Sequence, residues 1–200
     1  MCSIKCFCGA CELMLKQSTP LLRQFCGCKD CAQGLRWAAS KGGPKPKFLP
    51  ELIYFKSDIT CVRGEMFMKP YKLRKSGSST RVYCNKCYAL IGVDNPHYQD
   101  NVFLQVLGHF ATDIEFSIKP SAAIFMAHHL STQSAEILVD IPIFNSFDNP
   151  DDLHRWMTIT SVRDTFKAPE RPPSGRSFRE LIASFESIEV LNLQVGAEPT

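Results

Sequence analysis

Residues 26–31 read Cys-Gly-Cys-Lys-Asp-Cys, and residues 6–11 repeat the same cysteine spacing as Cys-Phe-Cys-Gly-Ala-Cys. A further pair, Cys84 and Cys87, encloses two residues later in the chain. Thiolates two or three residues apart on a tight turn can converge on one zinc ion, at about 2.3 Å from the metal. The spacing therefore predicts metal sites, but it leaves open which cysteines combine across the long gaps.

The cysteine content also bears on where the protein works. The chain has 200 residues and ten cysteines, seven of them in the first 31 positions. The N-terminal residues, Met-Cys-Ser-Ile-Lys-Cys, lack the apolar stretch of a secretory signal, so we expect an intracellular and most simply cytoplasmic protein. Thiols stay reduced there, which favours metal ligands over a disulfide-rich secreted domain.

Short apolar runs, separated by turn-forming residues, dominate the first 145 positions. The clearest runs are residues 13–15, 52–55, 81–83 and 102–107, followed by 124–126 and 137–139. Many short strands with frequent turns predict a mainly β fold built from small antiparallel sheets. The apolar runs are far shorter than the ~20 residues that span a bilayer, so we expect no membrane partner.

The last quarter of the chain differs in character. We expect a short helix near residues 151–157 and an extended, Pro-rich linker at residues 168–175. Ser177 and Glu180 have the spacing of a capping box, and apolar residues follow at helical intervals. This pattern predicts an amphipathic helix at about residues 178–189, which either folds back onto the β-domain or binds a protein partner.

Charge is distributed unevenly along the chain. Residues 1–93 contain 16 Lys and Arg against 5 Asp and Glu, whereas residues 94–200 contain 7 against 15. The densest basic segment runs from Lys69 to Arg81. It either attracts an anionic partner or forms a solvated face balanced by the acidic half. Few aromatic residues interleave with it, so a nucleic-acid partner is the less favoured interpretation.

Residues 6–10, 26–31 and 83–87 together resemble the three signatures of the glutathione-dependent formaldehyde-activating enzymes, a family that also includes centromere protein V. Residues 106–108 and 140–144 are similar to weaker motifs of the same family. The resemblance extends over residues 1–147. It implies a zinc-binding domain of the β-tent type at residues 1–147, with residues 148–200 as a helical extension.

The resemblance also implies two zinc sites. The implied ligands of a structural zinc are Cys6, Cys8, Cys84 and Cys87. The implied ligands of a second, catalytic zinc are Cys26, Cys28 and Cys31. Three ligands leave one coordination position for water or a substrate thiol, whereas four thiolates close a tetrahedral site.

The function implied by the resemblance is that of a carbon–sulfur lyase, which joins glutathione to formaldehyde as S-hydroxymethylglutathione. Glutathione or another anionic thiol would suit the basic half of the chain. The alternative is a non-enzymatic, zinc-stabilised binding module, an accessory subunit of a larger protein or nucleic-acid assembly. The sequence leaves open whether the protein is an enzyme.

The resemblance assigns none of the remaining cysteines and histidines to a zinc site. Cys11 is interpreted as a small buried apolar residue, and Cys2 and Cys61 as ordinary thiols. His128 and His129 are adjacent, so on a strand they face opposite sides and one of them could approach a metal site. A structural role is the default interpretation of both.

Overall fold

A computed structural model of the protein describes residues 2–115, 117–127, 129, 140–170 and 172–194. Over these residues the chain is built mainly of strands, arranged in two sheets, with four α-helices. The mainly β fold expected from the sequence is confirmed. The run at residues 137–139, for which the sequence predicts a strand, lies outside the described residues, as does His128.

The smaller sheet has four antiparallel strands, in the order β10-β1-β2-β5. Its strands are β1 (Cys2–Lys5), β2 (Glu12–Leu15), β5 (Ile59–Arg63) and β10 (Ala111–Thr112). Successive side chains of a strand point to opposite faces. In β2, accordingly, Leu13 and Leu15 are fully buried while Glu12 and Met14 are only partly covered.

The larger sheet has eight strands, in the order β11-β3-β4-β9-β8-β7-β6-β12. Its strands are β3 (Leu22–Cys26), β4 (Glu51–Lys56), β6 (Met68–Lys72), β7 (Thr80–Cys84), β8 (Leu90–Asp94), β9 (Val102–Val106), β11 (Ala123–Ile124) and β12 (Glu189–Val190). The six central strands pair antiparallel, as expected. Both outermost pairs are parallel, β11 with β3 and β12 with β6.

The four helices are α1 (Lys29–Ser40), α2 (Pro150–Met157), α3 (Thr160–Phe166) and α4 (Phe178–Ala183). The first of them was not predicted from the sequence. It begins at Cys28, whose sulfur accepts a hydrogen bond from the backbone N–H of Cys31 and so serves as the N-cap. None of the helices in the described part of the chain is long and apolar enough to cross a membrane.

The predicted capping box opens α4. The Ser177 hydroxyl accepts from the backbone N–H of Glu180 at 3.1 Å, and the Glu180 carboxylate accepts from the N–H of Ser177 at 2.7 Å. The predicted end of the helix near residue 189 is wrong, since α4 stops at Ala183. The chain instead continues into β12, where backbone hydrogen bonds to β6 replace those of further helical turns.

The apolar face of α4 is buried in the protein itself. Phe178 is fully buried and stacks on Phe103, with ring centroids 4.8 Å apart and planes 12° apart. A Cβ at Gly92 would lie 2.5 Å from the Phe178 ring, so only glycine admits this contact. Of the two interpretations of this helix, the structure therefore shows folding back onto the β-domain.

The large sheet separates two hydrophobic cores. Neighbouring residues of β4 point to opposite faces, so Phe55 packs into the core shared with the small sheet and Tyr54 into the core beneath α1. The segment after residue 147 contributes to both, with Phe178 in the first core and Trp156 in the second. The two parts of the chain thus share their cores.

Candidate functional site

Four cysteines meet where the small sheet joins the large one. The sulfur atoms of Cys6, Cys8, Cys84 and Cys87 all lie within 4.8 Å of one another. The Cys6 and Cys8 sulfurs are 3.5 Å apart, and those of Cys8 and Cys84 are 3.7 Å apart. The first pair follows β1, while Cys84 ends β7 and Cys87 lies in the turn after it, so this four-thiol cluster links residues distant in sequence.

Two tight turns bring these thiols together. Gly9 has a φ of +72°, and its N–H donates to the Cys6 carbonyl at 3.0 Å. Burial raises the pKa of the Cys6 thiol, and the backbone N–H of Cys11, which donates to the Cys6 sulfur at 3.2 Å, offsets part of this rise. At the other turn, the N–H of Tyr88 donates to the Cys84 carbonyl at 2.8 Å. Each turn therefore presents two sulfurs on one side.

The other cysteines stand apart from this cluster. Cys11 is fully buried, and its thiol donates to the Gly64 carbonyl at 3.8 Å rather than joining the four sulfurs. Burial raises the pKa of the Cys11 thiol, so it stays protonated. Cys2 is buried in β1, and Cys61 is exposed on β5.

The second cluster surrounds the start of α1. The sulfurs of Cys26, Cys28 and Cys31 lie within 4.8 Å of one another, and those of Cys26 and Cys31 are 3.8 Å apart. Cys26 ends β3, Cys28 caps α1 and Cys31 lies in its first turn. Backbone N–H groups donate to two of the sulfurs, from Cys28 to Cys26 at 3.4 Å and from Cys31 to Cys28 at 3.2 Å.

The three thiols of this cluster are not equivalent. The pKa of Cys28 is held well below its ordinary value, first by the hydrogen bond with Cys26 and then by the one with Cys31. The backbone N–H of Cys31 and the positive charge of Arg81 act in the same direction. The two neighbouring thiols, with the first turn of α1 and Arg81, therefore stabilise a negatively charged sulfur at Cys28.

Glycine is required between the first two cysteines of the cluster. The N–H of Gly27 donates to the Ile124 carbonyl at 2.9 Å, and a Cβ at Gly27 would lie 2.6 Å from the Phe125 carbonyl oxygen. The His129 ring also adjoins this position. Among the residues that the structure describes, however, no histidine nitrogen or carboxylate oxygen joins the three sulfurs. The cluster thus offers three protein ligands.

The three-thiol cluster opens into a cavity of about 760 Å³. This volume is within the range of about 300–1,000 Å³ that is typical of small-molecule sites. Its polar lining comprises Gln24, Lys29, Asp30, Ser79, Arg81, Asn95, His97 and Gln99. Its apolar and aromatic lining comprises Leu52, Tyr54, Tyr98, Leu104, Ile124, Phe125, Phe147, Leu153, Trp156, Met157 and Phe166. The four-thiol cluster contributes no residue to this lining.

Arg81 is a buried cation beside the three-thiol cluster. It is only 7% exposed, and its charge acts on both Cys28 and Cys31. Within the described part of the chain no carboxylate forms an ion pair with it. A Cβ at Gly34 would lie 3.2 Å from Arg81 Nε, so glycine in α1 leaves room for the guanidinium. The cavity therefore holds a positive charge that an anionic ligand can neutralise.

The basic segment from Lys69 to Arg81 is partly neutralised within the protein. Arg74 forms an ion pair with Asp30 at 2.8 Å, and Lys69 forms one with Glu189 at 2.6 Å. Glu189 belongs to β12, so the acidic half of the chain covers part of the basic half. This arrangement fits the interpretation of a basic surface that the acidic half of the chain neutralises. Of the basic residues in this segment, only Arg81 lines the cavity.

Comparison with known protein families gives one match, and it includes the residues of both cysteine clusters. The family model of the glutathione-dependent formaldehyde-activating enzyme matches residues 1–128. The chain belongs to this family. Searches of curated proteins and of solved structures found no match. The matched region of this family member contains all seven clustered cysteines and ends before α2, so the last three helices lie outside it.

The contribution of these later helices to the site was not predicted from the sequence. Trp156 of α2 and Phe166 of α3 line the cavity. The apolar pattern of residues 151–157 indicated a helix, but nothing local to it indicated which surface the helix covers. What the sequence lacks is a signal for this long-range contact.

Proposed function

We propose that the protein binds two zinc ions and that the ion in the four-thiol cluster is structural. Zinc bound by four thiolates at about 2.3 Å places neighbouring sulfurs about 3.8 Å apart. The separations of 3.5 and 3.7 Å in the cluster support this assignment. Thiolates favour soft metals, and four of them leave no position for a substrate.

We further propose that the three-thiol cluster holds a second zinc and that this site adds a thiol to an aldehyde. The observation that carries the proposal is the opening of Cys26, Cys28 and Cys31 into the cavity of about 760 Å³. A zinc ion there would have an open position and would deprotonate a thiol bound at it. Family membership makes glutathione the first thiol, and formaldehyde the first aldehyde, to be tested.

Residues of this chain supply the binding and orientation. Arg81 and Lys29 line the cavity and attract the carboxylates of an anionic thiol. Tyr98 lines the same cavity; a phenol is already protonated at neutral pH, and burial raises the pKa of Tyr98 further. A protonated phenol can donate a hydrogen bond to the carbonyl oxygen of the aldehyde as negative charge develops there.

The reaction is an addition in which atoms and charges balance. The sulfur forms a bond to the carbonyl carbon, the π bond of the carbonyl breaks, and the oxygen takes up the proton that the thiol released. Glutathione and formaldehyde thus give S-hydroxymethylglutathione without an oxidant or reductant. The reverse reaction cleaves a carbon–sulfur bond, which is lyase chemistry.

The test compares the wild type with Cys28→Ser, and with Cys61→Ser as a matched control at an exposed thiol outside both clusters. Exchange NMR measures hemithioacetal formation above the uncatalysed rate, and elemental analysis measures zinc per chain. We expect Cys28→Ser to lose one zinc and the catalysed rate, and Cys61→Ser to keep both. Equal rates in the wild type and Cys28→Ser would overturn the proposal that the protein is an enzyme. The alternative, a zinc-stabilised binding module, would then remain.

A further inference from the structure

The cavity beside the three-thiol cluster has two chemically different sides. The polar side comes from β7 and the segment after β8, where the Asn95 amide donates to the Ser79 hydroxyl at 2.8 Å and Arg81 supplies the buried charge. The apolar side includes Tyr54 of β4, Ile124 of β11 and several residues between positions 147 and 166. The two sides therefore suit different parts of the bound substrates.

A continuous series of aromatic rings forms the apolar side. Phe125 contacts Phe147 and Phe147 contacts Trp156, both with ring centroids 4.6 Å apart. Trp156 contacts Phe166 at 5.3 Å, and Phe166 contacts Tyr54 at 5.1 Å. All five rings line the cavity. This aromatic wall starts beside Cys26, because β11 pairs with β3 at Ile124 and Cys26.

Two further features of the wall are unusual for a surface that only packs. Leu153 and Met157 lie one turn apart on α2, line the cavity, and remain 40% and 38% exposed. Phe125 has a φ of +56°, a conformation that is unfavourable for a bulky side chain. Such strain tends to occur at ligand-binding sites. The apolar side of the cavity thus leaves Leu153 and Met157 accessible, and it holds Phe125 in an unfavourable backbone conformation.

The chemistry of the two substrates decides which of them meets the wall. The carboxylates of glutathione would lose their hydration against aromatic rings, whereas Arg81 and Lys29 can pair with them. Formaldehyde has a single carbon and no substituent that could contact the wall. The wall therefore fits a group attached to the carbonyl carbon of a larger aldehyde.

We propose that the aldehyde substrate carries a bulky apolar group, foremost an aromatic one, which binds against this wall. This inference rests on the proposed function for the thiol addition itself. The product is the hemithioacetal, in which the carbonyl carbon carries the new sulfur bond, a hydroxyl group and the apolar substituent. The extension after residue 147 acts as the specificity element of the site.

The experiment uses 2-naphthaldehyde as substrate and 2-naphthylmethanol, which cannot form a hemithioacetal, as the binding probe. The variants are Leu153→Lys and Met157→Lys, both in zinc-loaded full-length protein, with Met66→Lys as control. Met66 is 81% exposed and lies outside the cavity. Calorimetry measures the affinity for the alcohol, and rapid mixing with glutathione measures kcat/KM for 2-naphthaldehyde and for formaldehyde.

We expect the alcohol to bind the wild type and the Met66→Lys protein equally, and to bind each wall variant at least about tenfold more weakly. The ratio of kcat/KM for 2-naphthaldehyde to that for formaldehyde should fall by a similar factor in the wall variants. No binding of the alcohol to the wild type, or equal affinity in all variants, would overturn the inference even if formaldehyde is turned over. Binding without turnover above the rate of Cys28→Ser would instead overturn the proposed function.

Discussion

The indole N–H of Trp156 donates a hydrogen bond of 3.2 Å to the side-chain oxygen of Gln24, two residues before Cys26. The amide nitrogen of Gln24 in turn donates to the Tyr54 hydroxyl at 3.0 Å. Both bonds are buried, so each polar group depends on its partner. The late helix α2 is thereby tied to the strand that ends in the three-thiol cluster.

Trp156→Phe should test this connection. The variant keeps an aromatic ring in the wall but leaves the Gln24 oxygen without its donor, which costs about 1–3 kcal/mol of unfolding free energy. Denaturant unfolding of the zinc-loaded protein measures the change. The triple variant that adds Gln24→Leu and Tyr54→Phe removes all three polar partners, and we expect it to recover part of the loss. A single variant as stable as the wild type would contradict a structural role for this bond.

Cys84→Ser should remove the structural zinc and destabilise the fold. Cys84 is fully buried in the four-thiol cluster, and the binding energy of a structural metal is also folding energy. We expect the loss of about one zinc per chain and a sharply lower melting temperature. Cys61→Ser, at an exposed thiol, is the control and should keep both metal and melting temperature. Full metal content in Cys84→Ser would refute the assignment.

Gly27→Ala should disturb the three-thiol cluster without touching a sulfur. The new Cβ would lie 2.6 Å from the backbone oxygen of Phe125, so β3 and β11 must separate. We expect weaker binding of the second zinc and a destabilisation of about 1–3 kcal/mol, as for other overpacked sites.

Gly34→Ala is the matched comparison. There the new Cβ would lie 3.2 Å from Arg81 Nε and 3.3 Å from the Tyr83 hydroxyl, side-chain atoms that need to shift by only a few tenths of an ångström, and alanine is the better helix former by about 1 kcal/mol. We expect the Gly34→Ala protein to keep both zinc ions, as shown by elemental analysis. Equal metal affinity in Gly27→Ala and the wild type would show that the separation of β3 and β11 does not reach the thiols.

His109 should make stability depend on pH. It is buried, neither ring nitrogen has a partner in the described structure, and burial lowers its pKa from 6.5 to about 4. The unfolded chain therefore binds a proton between these values while the folded chain does not, so stability falls as pH decreases through this window. Between pH 7.5 and pH 5 the loss should be about 2 kcal/mol.

The control for this prediction is His109→Leu, which removes the titrating group. Unfolding of the wild type and of His109→Leu is measured at each pH. Acid also protonates the thiols of the two cysteine clusters, but this effect is the same in both proteins and cancels in the difference. The difference between their unfolding free energies should change by about 2 kcal/mol across the window. A difference that is constant with pH would mean that His109 is solvated or paired in the folded state.

The features that could be predicted from the sequence are those formed by residues close to one another in the chain. Ser177 and Glu180 cap a helix from within one turn, and the cysteine spacing defines the tight turns at both clusters. The start of α1 was missed, because its N-cap is Cys28, a residue better known as a metal ligand than as a cap. The aromatic wall was also missed, since Trp156 meets Gln24 across 132 positions of sequence.

The two outer strands of the large sheet have a consequence for how the chain folds during synthesis. Each is only two residues long, and each pairs in parallel with a strand made much earlier, β11 with β3 and β12 with β6. Until residues 189–190 leave the ribosome, the backbone groups of β6 lie at an open edge, which can pair with another chain. A chain that ends before β12 would therefore contain both cysteine clusters and keep the β6 edge open to pairing with another chain.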